Sequence, residues 1–593
     1  MKRFVLPVLL LVAASSALTT SLSAQTTSPT PLETRQDTLR SFFKDYWDAY
    51  LQHSPEFASR IGDLRFNDQI TDYSVQACND WLETEQNDLM RLAAIDPTGF
   101  TDQEKTSRDL LLRKFAEDEE AAEFKEWEMP INQMGGIYAT YPDLVTQLSF
   151  NTVKDYDDWI ARLRQIPKAF DQVMTNMSIG IDDQRVPPKY LLEKALDQVQ
   201  QLATQKPEDS PLAMPLKKFP ASIPAAEQTR IHDEMLAVIA KRVLPAYQRL
   251  ARFLQVTYIP AGREQPGIWA LSDGAQYYKF LIHRSTSTDL TPDELHQIGL
   301  NEVKKDEAAM LPIAQKLGFK DLKTFNASLK TNPRLHPASA EALLGAYRSD
   351  LTPMQARLPQ LFGHLPNAPY EVVAVPDYLQ QSAAPAYYEA GTADGKRPGR
   401  LFINTYNATS RNLYDVEVIA YHEGLPGHHL QISIAQQLEG IPEFRRYDQY
   451  TGYTEGWGLY AEQLGKDVGF YQDPYSDYGR LEADMWRSIR LVVDTGVHFK
   501  HWTRQQMVDY FHEHTTLDDA TIEAEVDRYV AWPGQALAYK VGQLKILELR
   551  DKAKAALGAK FDIRAFHDQV LDAGALPLDV LSSRIDAWIA SSK

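Results

Sequence analysis

Apolar residues recur every three or four positions through most of the chain, the spacing that gathers them on one face of an α-helix. In "TLRSFFKDYWDAYLQH" they fall at Leu39, Phe42, Phe43, Tyr46, Trp47 and Tyr50. The same rhythm returns in "YDDWIARLRQIPKAFDQVMTNM", "YLLEKALDQVQQLA", "IHDEMLAVIAKRVLPAYQRLARFLQ" and "ALLGAYRSDLTPMQARLPQLF". This pattern predicts a mostly α-helical fold, a large multi-helical body. The clearest strands are "YEVVAVP" (370–376) and "GRLFINTY" (399–406), the second following the turn-forming "GTADGKRPG". A helical pattern resumes after Ser410, with Asp415 and Glu417 in its early turns, where negative charge suits a helix N-terminus.

With 593 residues the chain is too long for one ordinary core. Two helical lobes are expected, 38–285 and 286–593, meeting where "HRSTSTDLTPDEL" offers a helix start. The opening "MKRFVLPVLLLVAASSALTTSLSAQ" has a basic start, an apolar run and small residues before a cut near Ala24. That describes a signal peptide over 1–24, with 25–37 as a flexible lead. The apolar run falls short of the roughly 20 residues a spanning helix needs, so the expectation is a periplasmic or secreted protein with no membrane span when mature. No cysteine lies near the cut to carry a lipid. The single cysteine, Cys78, excludes an internal disulfide and reads as structural. Net charge is −18, and loss of Lys2 and Arg3 with the leader takes it to −20. With no basic stripe, nucleic acid is not an expected partner.

The candidate chemistry lies in "VIAYHEGLPGHHLQ" (418–431). Histidines four apart on a helix can grip one Zn²⁺, with an intervening Glu as general base. Here the fourth residue after His422 is Pro426, and His428 and His429 follow at offsets of six and seven. On an unbroken helix the first would lie about 240° round the axis and the second about 10 Å along it. Pro426-Gly427 lifts that objection, because proline cannot continue the backbone ladder and glycine adopts conformations closed to other residues. With two residues looped out, His428 takes the missing place, and His429 is not excluded.

A third ligand should come from another helix. In "YTGYTEGWGLYAEQLG", Glu455 and Glu462 stand seven apart on roughly one face, Glu455 to close the site and Glu462 to orient a histidine. Catalytic zinc takes three protein ligands and keeps a fourth position open. His422, His428 and Glu455 form such a set, with Glu423 as the base. Further on, "RSIRLVVDTGVHFKHW" spaces Arg487, Arg490, Asp494 and His498 at helical intervals. Asp494 and His498 could bond each other behind the ligands while an arginine meets a substrate carboxylate. A surface ion-pair network explains the pattern equally well.

These motifs, with "TEGWGLYAEQL", "RLVVDTGVHFKHWT" and "PGQALAYKVGQLKILELR", resemble the bacterial "domain of unknown function 885" family, which is grouped with the HExxH-type zinc peptidases. "DGKRPGRLFINTYN" and "STDLTPDELHQIGLNEV" extend the resemblance over most of the mature chain. It implies a deep active-site groove and a zinc-dependent hydrolysis of peptides. Dipeptidyl-peptidase III carries an extra residue between its histidines and still binds zinc. The carboxypeptidase Taq and thimet oligopeptidase families take a helix Glu as third ligand at about the spacing of Glu455. By the same resemblance Glu423 is the base and Tyr539 the oxyanion stabiliser, with Tyr529 and Arg528 competing for that role. Arg490 and Arg528 are expected to bind substrate, and Asn404 to present an edge strand to it. Two other readings stay open: a zinc hydrolase of non-peptide amides or esters, and a non-catalytic binding or scaffold protein with a structural or vestigial metal site.

Overall fold

The computed structural model describes residues 31–376, 380 and 383–593. The expected signal peptide and the start of the expected lead lie outside them. Helix α1 (Leu32–His53) already begins within the rest of that lead, so 32–37 is helix rather than tether. Its apolar face, Leu39, Phe42, Phe43 and Tyr46, is buried in a small core that Phe444 completes from far along the chain. Cys78 is a half-buried free thiol, and burial pushes its pKa up, away from the reactive thiolate. Helix α2 (Val153–Asp182), opened by a Thr152–Asp155 capping box, is the spine of a second core over residues 131–259.

Helix α3 (Pro292–Lys316) starts at a Thr291–Glu294 capping box, in the stretch expected to divide the lobes. Ile268 to Ile282 pack in the same core as residues from Leu343 to Ile589, and Leu110 and Phe124 join them. Helix α4 (Ala340–Leu361) leads to a three-stranded sheet of β1 (Tyr370–Ala374), β2 (Ala386–Glu389) and β3 (Gly399–Ile403), in the order β1-β3-β2. β3 runs parallel to β1 and antiparallel to β2. The strand expected to offer an edge is therefore the central one, and its buried side chains fit that place. The edges belong to β1 and to β2, the latter four residues whose burial does not alternate.

After the sheet come α5 (Val416–Glu423), α6 (His428–Gln437), α7 (Thr451–Asp467), α8 (Pro474–His498), α9 (Asp519–Ala531) and α10 (Ala538–Leu557). α5 starts later than expected, because a short turn, Ala408–Ser410, and an extended link come first. α7 lies against α10 at a crossing of glycines: a methyl group on Gly456 would come within 2.4 Å of the Gly542 Cα. That crossing places the helix of Glu455 against the helix of Tyr539. Among the described residues no helix is long and apolar enough to cross a membrane.

Candidate metal centre

α5 ends at Glu423, and the chain turns through Gly424–Gly427 before α6 starts at His428. The helix is broken outright rather than bulged. A Cβ on Gly427 would sit 1.8 Å from the His422 carbonyl oxygen, so only glycine lets the chain pass here. The Trp457 indole N–H donates to the Pro426 carbonyl at 2.9 Å and ties the turn to α7. As a result the His422 and His428 rings meet edge to face, with centroids 4.7 Å apart. His429 points elsewhere. Its Nδ1 lies 2.9 Å from the Tyr388 hydroxyl, its ring packs on Tyr370, and burial pushes its pKa down to about 4.

Glu455 closes the cluster from α7, with Oε2 3.6 Å from His422 Nε2 and 3.5 Å from His428 Nε2. All three ligand atoms lie within 4.8 Å of one another, an arrangement that could hold a metal ion. Ligand atoms about 2.0–2.1 Å from a tetrahedral ion stand about 3.3 Å from each other, close to this spacing. The same contacts are too long for good hydrogen bonds. Buried charge agrees with a cation here. Burial alone would keep His422 neutral, but Glu455 and Glu462 push its pKa up to about 10. Burial likewise opposes the Glu455 carboxylate, yet its contacts with His422 and His428 hold it well below the usual carboxylate range.

Glu462 lies two turns beyond Glu455, its Oε1 2.7 Å from His422 Nδ1. A carboxylate only accepts, so His422 donates from Nδ1, and Nε2 is the nitrogen that faces Glu455 and His428. The ring also lies flat on α7, where a Cβ on Gly458 would approach its Cε1 to 2.7 Å. Glu462→Gln keeps the shape and weakens this anchor. Its metal affinity is expected to fall about 10- to 100-fold, read by competition with a chromogenic chelator.

The cluster opens on a cavity of about 330 Å³. Glu423, half-buried at the end of α5, lines it, and burial raises its pKa despite the nearby His422 and His428. Ala386 to Tyr388 of β2 line another side. Opposite them Tyr539 accepts a hydrogen bond from Arg528 Nη2 at 3.0 Å, and the Arg490 guanidinium lies 4.3 Å over its ring. Arg490 Nε donates to the Tyr529 hydroxyl at 2.9 Å and Nη2 to Glu525 at 3.1 Å. Tyr529 is thus a buried support for Arg490 and does not line the cavity, whereas Tyr539, Arg490 and Arg528 do.

Three expected residues serve the scaffold. Asp494 and His498 do not bond each other. Asp494 accepts from the Tyr278 hydroxyl and the Gly534 N–H, and His498 bonds the Ile268 N–H and the Tyr529 carbonyl. Burial pushes Asp494 up to about 7 and His498 down to about 3, and both brace the turn into α10. Asn404 is buried, its amide donating to the Gln380 and Ala383 carbonyls, and it shapes the loop before β2 instead of touching the cavity. The sequence reading missed Glu525, which joins the two arginines, and Trp457 and Gly458, which seat the turn and the ring. A tryptophan and a glycine two and three residues after a candidate ligand, "TEGWG", were the available signal.

A protein of Colwellia psychrerythraea described as a "putative lipoprotein" has a crystal structure with TM-score 0.88 and 28% identity to this chain, covering 94% of this chain and 99% of that one. A "putative lipoprotein of unknown function" from Shewanella oneidensis matches with TM-score 0.71 and 16% identity, over 92% of this chain and 99% of that one, a likeness of fold. No curated protein matches the chain. Residues 55–585 match the family described as "Bacterial protein of unknown function (DUF885)", and the chain belongs to that family.

Proposed function

We propose that the protein is an exported zinc-dependent peptidase. The observation that carries this reading is the convergence of His422, His428 and Glu455 on one point of a cavity that Glu423 also lines. Two imidazoles and one carboxylate are a donor set of catalytic zinc, which takes them at tetrahedral angles and keeps a position open. When bound, zinc supplies a Lewis acid and makes water acidic enough to ionise near neutral pH.

The chain's own groups do the rest. Glu423 takes a proton from the attacking water and gives it to the leaving amine nitrogen, and a raised pKa suits a group that must do both. The Tyr539 hydroxyl, positioned by Arg528, stabilises negative charge that develops on the carbonyl oxygen. Glu462 fixes the tautomer of His422. β2 favours a peptide over a smaller acyl substrate, because it is an edge strand on the cavity wall and can pair with an extended main chain. The leader-like 1–24 supports export, as does the lipoprotein description of the Colwellia protein.

The test is metal content with activity. The purified protein is expected to hold about one zinc per chain, to lose peptide hydrolysis with a chelator and to regain it with Zn²⁺. No bound metal, with stability indifferent to the chelator, would establish the scaffold reading instead. Cleavage of esters but no peptide would establish the other hydrolase.

A further inference from the structure

Three arginines reach the wall of the metal cavity, Arg487 and Arg490 from α8 and Arg528 from α9. Facing them is one carboxylate, Glu525, which takes Arg490 Nη2 at 3.1 Å and Arg528 Nη1 at 3.4 Å. Arg487 Nη1 donates to the Ala483 carbonyl at 3.2 Å, and its ion pair among the described residues is a 3.6 Å approach to Glu462, which His422 already engages. Of the other acids lining the cavity, Glu455 belongs to the metal cluster, Glu423 is the base beside it, Glu482 takes the Thr516 N–H, and burial pushes Asp415 up to about 7. None of these is paired with the three guanidiniums. The Arg490 side chain is only 4% exposed. It is clamped by Trp486, Tyr529 and Tyr539, yet among the described residues its Nη1 has no hydrogen-bond partner, and neither does Nε of Arg487 or Arg528.

Buried positive charge in excess of its partners is costly unless an anion completes it. A rigid planar guanidinium fork matches a carboxylate. We propose that this wall binds the C-terminal carboxylate of a peptide substrate, so that the enzyme is a carboxypeptidase-type exopeptidase. The inference rests on the peptidase reading above and names its substrate class. Because the arginines share one cavity with Glu423 and the metal cluster, the bound carboxylate lies within a residue or two of the bond that is cut. That bond is the amide C–N: water adds its hydroxyl to the acyl carbon and its proton to the amine nitrogen, and the terminal piece leaves. A substrate ammonium at this wall would be repelled, which argues against trimming from the N-terminus.

The experiment compares an N-acetylated peptide ending in a free acid with the same peptide ending in an amide. Calorimetry on zinc-loaded Glu423→Gln protein is expected to give about 10- to 100-fold tighter binding of the acid. In a second variant that adds Arg528→Gln, the acid-to-amide ratio should fall toward one. This ratio does not depend on how much of the sample is folded. Wild-type protein should cut the acid near its C-terminus and leave the amide largely intact. Equal affinity for the two peptides would overturn the proposal, as would equal cleavage of both. Acid-selective binding with neither peptide cut would uphold the carboxylate site and remove the peptidase reading.

Discussion

Glu423→Gln is expected to leave the metal content unchanged and to slow peptide hydrolysis by about 10²–10⁴-fold, the usual contribution of a general acid–base group. Glutamine matches glutamate in shape but cannot accept a proton at the pH of the reaction. The change should be confined to that function, because Glu423 stands outside the ligand trio while His422, its neighbour on α5, is held by Glu462 and by the floor of Gly458. Stability should change little, since burial already disfavours the charge that is removed. The measurements are zinc by elemental analysis and turnover of a peptide mixture by mass spectrometry. A variant with full zinc and full activity would mean that another group moves the proton, and would end the mechanism. Loss of zinc together with activity would mean that Glu423 holds the metal rather than the water.

The helical body was legible because amphipathic spacing is a local property: Leu39, Phe42, Phe43 and Tyr46 declare one face within two turns of chain. What covers that face was not. Phe444 reaches α1 from about 400 residues away, and Ile268 to Ile282 fold into the later core, while residues 131–259 keep a core of their own. β2 escaped for a related reason. "AYYE" makes a strand through its pairing with β3, and four residues carry too short a pattern to declare it.

At the site, the Pro-Gly break was legible and its necessity was not. Gly427 is obligatory because of where the His422 carbonyl lies, five residues back across a turn that Trp457 pins. Asp494 and His498 show the limit of spacing arguments on helices. The i,i+4 interval offers a mutual hydrogen bond on an exposed face, but Ser488 to His498 are buried on every side. Each polar group there turns to its own neighbour, Asp494 to Tyr278 and Gly534, His498 to Ile268 and Tyr529. Asn404 is similar: a polar residue at a strand end reads as a substrate contact until the carbonyls it satisfies are in view.

His428→Ala and His429→Ala should separate cleanly, and the contrast decides how the six-residue spacing works. His428 Nε2 faces Glu455 Oε2 at 3.5 Å, and without it two ligands remain on a site that needs three. Metal affinity should fall by more than the 10- to 100-fold expected for Glu462→Gln, taking hydrolysis with it. His429 cannot step in, because its ring packs on Tyr370 and its Nδ1 bonds Tyr388. His429→Ala should instead keep its zinc and most of its activity. Its cost is structural: a buried ring is removed and the Tyr388 hydroxyl loses that partner, for about 1–3 kcal/mol of stability. Zinc content and thermal midpoint of the two variants therefore move in opposite patterns, metal lost at 428 and stability lost at 429. The reverse pattern would place the second ligand at His429 and require the turn through Pro426 to close differently.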